Sequence, residues 1–242
     1  MQTNEALVTS LRQAARELTA KRSIRDMEQT LTEIVTAAVE TIPGVDAGGI
    51  SVTQDGEILS RHPTHPAITK LDRLQAELAE GPCITAIEEP PDDGIVVADD
   101  LDGADGERWP RFAPQAVEAG YHSMMSTQLS HEPGRMRAAL NLYAGGPASF
   151  DADARVTAGL FGVQAAVLLY GSEHATNLQR AVDSRDLIGQ AKGILMERFS
   201  VDDERAFAML VRSSQDTNLK LVEVARWLHD EVNSRSRGEG TS

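Results

Sequence analysis

Apolar residues recur at helical spacing from the start of the chain. Leu7, Leu11, Ala14 and Leu18 stand four, three and four residues apart, which predicts an amphipathic helix over residues 1–25. A second helix is expected from about Asp26, with Met27, Leu31, Ile34, Val35, Ala38 and Ile42 along one side. Pro43 stops it, because proline cannot continue a helix. The period then shortens. "DAGGISVTQDGEILSRH" reads as two strands about an Asp55-Gly56 turn, a pair of residues that favours hairpins. Residues 67–80 return to helical spacing, and "GPCITAIEE" opens another helix with Pro82 in its first turn. One brief strand, Ile95 to Ala98, sits inside an acidic stretch rich in proline and glycine. "WPRFAPQAVEAG" predicts a short helix, and "YHSMMSTQLS" and "MRAALNLYAG" predict two strands joined by "HEPG". Strands in hairpins, interrupted by helices, point to an α+β domain with an antiparallel sheet flanked by helices.

From Asp151 the pattern is helical throughout. Val156, Leu160, Val163, Val167 and Tyr170 alternate spacings of four and three, the seam of a coiled coil or of a packed helix pair. In the same register follow His174, Asn177, Ala181, Ser184, Ile188, Ala191 and Leu195. The seam turns polar between 174 and 184 and then recovers. A connecting coiled-coil-type helix from about residue 152, weak in its middle, is one reading; a break near Gly171 is the other. Ser200 reads as the cap of a further helix with Ala206, Phe207, Leu210 and Val211 inward. "QDTN" ends it, and Leu221, Val224, Ala225 and Leu228 face inward on a third. Residues 171–235 thus form a small three-helix bundle, and 236–242 read as a disordered tail. So small a bundle gains from dimerisation.

Charge separates the two regions. The net charge is −14, yet residues 1–177 hold 13 Lys and Arg against 26 Asp and Glu, whereas 178–237 hold 10 of each. The asymmetry suggests two parts with different partners. Cys83 is the single cysteine, which excludes an internal disulfide and suits a reducing compartment. No signal-type core is visible at the start and no window is expected to span a membrane. A cytoplasmic protein without a membrane partner is expected.

"DLIGQAKGILMERF" raises a chemical question. Gly189 and Gly193 each cost a helix about 1 kcal/mol relative to alanine, and Lys192 lies beside them. Arg185, Gly189, Lys192 and Met196 share one side of the helix, away from Leu187, Ile188, Ala191, Ile194 and Leu195. Missing side chains let another surface approach the backbone, and a cation there suits a polyanion. The glycines also fit tight helix–helix packing.

"SRDLIGQAKGILMERFSVDDERAFAMLVRSSQDTNLKLVEVARWL" closely resembles the ANTAR domain, a three-helix RNA-binding module of bacterial antitermination regulators. The resemblance covers roughly 178–232. Residues 26–170 resemble a GAF sensor domain through "EGPC", "RWPRFAPQAVEAGYHSMMSTQL" and "ALNLYAGGPASFDADA". Together they look like a GAF–ANTAR regulator.

That resemblance implies a homodimer that binds paired small RNA hairpins and favours an antiterminated transcript, under control of a small-molecule or protein signal at the GAF-like domain. Unpaired loop bases are open to stacking and hydrogen bonding in a way that duplex RNA is not. The family's surface falls on Gln190, Ala191, Lys192 and Gly193, then Arg212, Ser213 and Ser214, then Asn218 and Lys220. Lys192, Arg212 and Lys220 would contact phosphates; Gln190, Ser213, Ser214 and Asn218 would face loop bases; Ala191 and Gly193 would give clearance. Val222 departs from the family's arginine or serine.

Each residue has a plainer role beside this one. Lys192 fits a solvated surface lysine, Ser214 a satisfied hydroxyl near the core, and Trp227 the core's edge, although its ring could stack on a base. Two rival functions remain in view: a ligand-sensing or protein-interaction module whose helical tail only dimerises, and a DNA-binding helix-turn-helix. The mostly acidic exposed face of "LKLVEVARWLHDEV" makes a poor major-groove reader. Some GAF-like enzymes reduce methionine sulfoxide with cysteines. Cys83, at a helix start that favours a thiolate, has no resolving partner in the chain, and a buried structural thiol is the default. His62 and His65 are three apart, but Pro63 and Pro66 prevent a helix from aligning them, and they complete no zinc set. No enzyme activity, cofactor or metal is expected.

Overall fold

The computed structural model describes residues 24–54, 57–130 and 137–238. The expected helix built on Leu7, Leu11, Ala14 and Leu18, the Asp55-Gly56 turn and the "HEPG" turn lie outside them.

In chain order the first unit holds α1 (Ile24–Thr41), β1 (Ala47–Gln54), β2 (Glu57–Arg61), α2 (Pro66–Leu78), α3 (Pro82–Glu88), β3 (Ile95–Ala98), α4 (Ala113–Glu118), β4 (Ser123–Gln128) and β5 (Ala138–Ala144). Helix α5 (Ala152–Phe199) runs unbroken through Gly171, and α6 (Asp203–Thr217) and α7 (Leu221–Gly238) follow. The chain divides into two compact units, residues 1–172 and 173–242. The last helix reaches Gly238, past the start of the expected tail, since no proline intervenes after Leu221 to end it.

The strands form one antiparallel sheet in the order β2-β1-β5-β4-β3. Alternation along β5 sends Ala138, Leu140, Leu142 and Ala144 to one face and Ala139 and Tyr143 to the other. Both faces are covered, which is why the whole of β5 is buried. On the first face, Leu31, Ile34, Val35 and Ala38 of α1 join Ala154, Ala158, Phe161, Ala165 and Leu168 of α5. On the second, Ile68 and Leu71 of α2 and Cys83 and Ile87 of α3 pack with Trp109, Phe112 and Tyr143. Each large side chain so buried contributes about 1.5–3 kcal/mol.

Small residues let α5 lie close to the sheet. A Cβ added at Gly162 would stand 2.7 Å from Cγ2 of Thr127, so this glycine serves packing. The side of α5 facing the sheet is the alanine-rich one. Val156, Val163 and Val167, the seam picked out by the sequence, are 62%, 58% and 51% exposed on the opposite side. One window of α5 has a mean hydropathy of 1.3, enough by length and composition to cross a membrane, against the expectation that no window would; 39% of it is buried inside the protein. Its apolar character comes from serving the sheet on one side while keeping an exposed valine row on the other.

Near the end of the first unit, Glu28 gathers three elements. It accepts hydrogen bonds from Nη2 of Arg61 at 2.5 Å and from Oγ of Ser172 at 2.9 Å.

Candidate functional site

In the second unit, Ala191 and Leu195 of α5, Ala206 and Leu210 of α6, and Val224 and Ala225 of α7 form a compact core. Leu187, Ile188, Leu221 and Leu228 border it. Phe207, expected inward, is 42% exposed, and Trp227, expected at the core's edge, is 66% exposed. The cap of α6 is Asp202, whose carboxylate accepts from the Arg205 amide at 2.9 Å. Ser200, expected to cap, takes a left-handed conformation with φ 52° in the turn before it. The α6–α7 connection is stapled twice. Oγ of Ser214 donates to the Leu219 carbonyl at 2.6 Å, and the Lys220 amide donates to the Glu223 carboxylate at 3.0 Å, half of a capping box.

The nine residues singled out in the sequence occupy different environments. Gly189 and Gly193 stand in the open, with nothing within 4 Å of an added Cβ; their absent side chains serve no contact inside the bundle. Lys192, half-buried, is ion-paired with Asp203 in the first turn of α6. Ala191 is 0% exposed; it packs the core and presents no surface to a ligand, because it lies on the arc that α6 and α7 cover. Arg212 approaches Asp216 at 3.9 Å with both side chains solvated, a pairing worth little. Ser213 is half-buried. The Ser214 hydroxyl is already spent on the turn, in keeping with its plainer reading. Asn218, at φ 54°, closes α6 in the left-handed conformation that asparagine tolerates. Asn218 and Lys220 are exposed. Gln190 turns to a different side, into a cleft of about 530 Å³ between α5 and α7 that Arg180, Asp186, Leu187, Val222 and Arg226 also line.

A second cluster lies in the first unit, between the sheet and α2. Asp72 is 1% exposed. Its carboxylate accepts from Oγ of Ser60 at 2.6 Å, the Tyr143 hydroxyl at 2.7 Å and Nδ2 of Asn141 at 3.1 Å. Asn141 in turn donates to Ser51 at 2.9 Å and accepts from Ser126 at 2.8 Å, while Gln75 donates to the Tyr143 hydroxyl at 3.2 Å. Burial raises the Asp72 carboxyl above its ordinary value, against the lowering effect of these hydrogen bonds. Burial, aided by Asp72, also pushes the Cys83 thiol up to about 12. Its place at a helix start favours a thiolate, but the packed cluster around α3 buries it completely and its neighbour is an acid, and both favour the neutral thiol. Among the described residues no group of three His, Cys, Asp or Glu could hold a metal ion. His65 instead caps α2, accepting from the Ala67 amide at 3.2 Å.

Sequence reasoning missed the Asp72 cluster, yet a signal existed. Asp72 and Gln75 fall on the Ile68–Leu71 side of α2, and Asn141 interrupts the apolar run of β5. It missed Arg180 and Arg226 because they lie far apart in sequence and on separate helices.

Comparison with known proteins completes the picture. The GAF domain family matches residues 24–169, and the ANTAR domain family matches 176–228. No curated protein matches the chain. A LuxR-family, N-acylhomoserine-lactone-dependent transcription factor from Burkholderia cenocepacia aligns with a TM-score of 0.51 at 15% identity, covering 70% of this chain and 99% of its own. The photosensory core of a Stigmatella aurantiaca phytochrome gives 0.52 at 14% identity, covering 84% and 44%. A bacteriophytochrome from R. palustris gives 0.51 at 13% identity, covering 85% and 46%. These likenesses show the fold alone.

Proposed function

The chain belongs to the GAF–ANTAR regulators, RNA-binding proteins with a sensor domain, and from that premise we propose that it is a transcription antitermination factor. It acts as a cytoplasmic homodimer that binds paired RNA hairpins when its sensor domain permits. Its architecture is that of a regulator, not of an enzyme.

The observation that carries this reading is the open strip on α5. Two glycines that cost helix stability and touch nothing in their own bundle flank the level of Lys192. Phosphates or bases approach a bare backbone there, with Lys192 at hand. Arg212 and Lys220, both exposed, supply further cations near the α6–α7 turn. The exposed valine row on α5 supports dimerisation, because a second copy would cover it in the way that heptad seams are covered. The signal is a small molecule or a protein, and it works by changing the packing of α5.

Titrating the full-length protein with a tandem-hairpin RNA at two salt concentrations, beside Lys192→Ala, tests the proposal. Saturable, salt-sensitive binding that the variant weakens supports it. Duplex DNA of equal charge should fail to compete. Leu178 and Val182, 67% and 47% exposed, favour the other reading, a tail that only dimerises; in that case no RNA binds and Lys192→Ala changes nothing.

A further inference from the structure

We propose that the cleft between α5 and α7 is a nucleobase pocket, receiving one unstacked base from the loop of a bound RNA. This rests on the RNA-binding reading and adds a site to it. Arg180, Asp183, Asp186, Leu187 and Gln190 of α5 face Val222 and Arg226 of α7 across about 530 Å³. That size falls within the about 300–1,000 Å³ of small-molecule sites.

Its chemistry selects the occupant. Two guanidiniums and two carboxylates share the walls, so the charges cancel and a bare phosphate gains little. Among the described residues neither the Arg180 nor the Arg226 side chain makes an ion pair or hydrogen bond, although acids stand in the same cleft. Their donors are free for a ligand. A base is neutral and carries donors and acceptors on one edge. Guanidinium groups bond ring nitrogen and carbonyl acceptors or stack on the ring; carboxylates accept from exocyclic amines; a glutamine amide does both. Leu187 and Val222 supply apolar surface for the ring face. Val222, which departs from the family's polar residue, is thereby accounted for: an apolar group suits a base and would waste a phosphate.

The cleft is also well placed. Gln190 lines it, and the next residue along one way is Gly189, whose backbone is open. A loop lying on the bare strip has a base within reach of Gln190 without crossing the bundle.

The test selects hairpin RNAs with randomised loops on the full-length protein. The best RNA is then remade with an abasic site at each loop position in turn. Wild-type protein should show one position where base removal weakens binding about tenfold or more, the scale of a stacked or bidentate base contact. Arg226→Ala should bind the intact RNA about tenfold more weakly, and the same abasic site should then cost almost nothing further. The slope of log Kd against log salt should stay unchanged, because no phosphate contact is removed. Gln190→Ala, also exposed, repeats the cycle should Arg226→Ala misfold by circular dichroism. An abasic penalty that persists in both variants, or a salt slope that drops by about one, overturns the pocket while leaving RNA binding intact. Failure to enrich any hairpin on wild-type protein overturns the RNA reading itself, and the pocket with it.

Discussion

Lys192 on α5 is ion-paired with Asp203 in the first turn of α6, its side chain 23% exposed against 63% for the aspartate. The proposed phosphate contact is therefore held by a neighbouring carboxylate, and a polyanion must compete for it. Asp203→Asn removes the competitor. A partly exposed pair of this kind is worth about 0–1 kcal/mol, so the bundle should survive. RNA affinity should rise several-fold at low salt, while Lys192→Ala should lower it and reduce the salt slope by about one. Should both variants shift only Tm, and leave Kd alone, the pair is a staple between helices.

The helices and strands of both units were legible because their apolar positions repeat at 3.6 or 2 residues. The α5 seam shows where periodicity stops. Spacing marked Val156, Val163 and Val167 as apolar but could not say against what; the sheet took the alanine side, which allows closer approach at Gly162, and left the valines outside. Lys192 was legible as a cation, not as half of a pair, because Asp203 faces it across a turn. Ala191 was legible as part of a motif, but its burial follows from three helices meeting. The Asp72 cluster joins residues from five elements, and no local pattern announces such a meeting.

The exposed valine row gives a second expectation. Val163→Glu together with Val167→Glu places charge on a face that is solvated in the single chain, and such surface changes usually alter folding by under about 0.5 kcal/mol. Light scattering should show a monomer where the wild type gives a dimer, with hairpin affinity reduced. A variant that stays dimeric removes this row from the interface.

Asp72 makes stability depend on pH. Its carboxyl is raised by burial, so the folded state holds the proton at a pH where the unfolded chain has lost it. The contribution to stability is fully present below the unfolded value of about 3.9 and declines as pH rises through the folded value. Asp72→Asn abolishes that decline. Urea unfolding at several pH values should show the variant gaining on wild type as pH rises, by about 1.4 kcal/mol per unit of displacement. A difference that is flat with pH would mean that the carboxylate is buried ionised without cost.

The glycines of α5 separate stability from function. Gly162 sits 2.7 Å, at its added Cβ, from Thr127, whereas Gly189 and Gly193 have nothing within 4 Å. Gly162→Ala should therefore destabilise the first unit through a clash that the sheet must shift to relieve. Gly189→Ala and Gly193→Ala should each stabilise the second unit by up to about 1 kcal/mol, since alanine restricts the unfolded chain and fits the helix. If the bare strip exists for RNA, those same two variants should bind hairpins more weakly although they melt later. Thermal unfolding and RNA titration on the same preparations decide it. A variant that is more stable and binds equally well would show that the strip is not where RNA approaches; one that is more stable but monomeric would assign it to a second copy of the chain. Only a helix that gives up stability for access should gain in Tm and lose in Kd together.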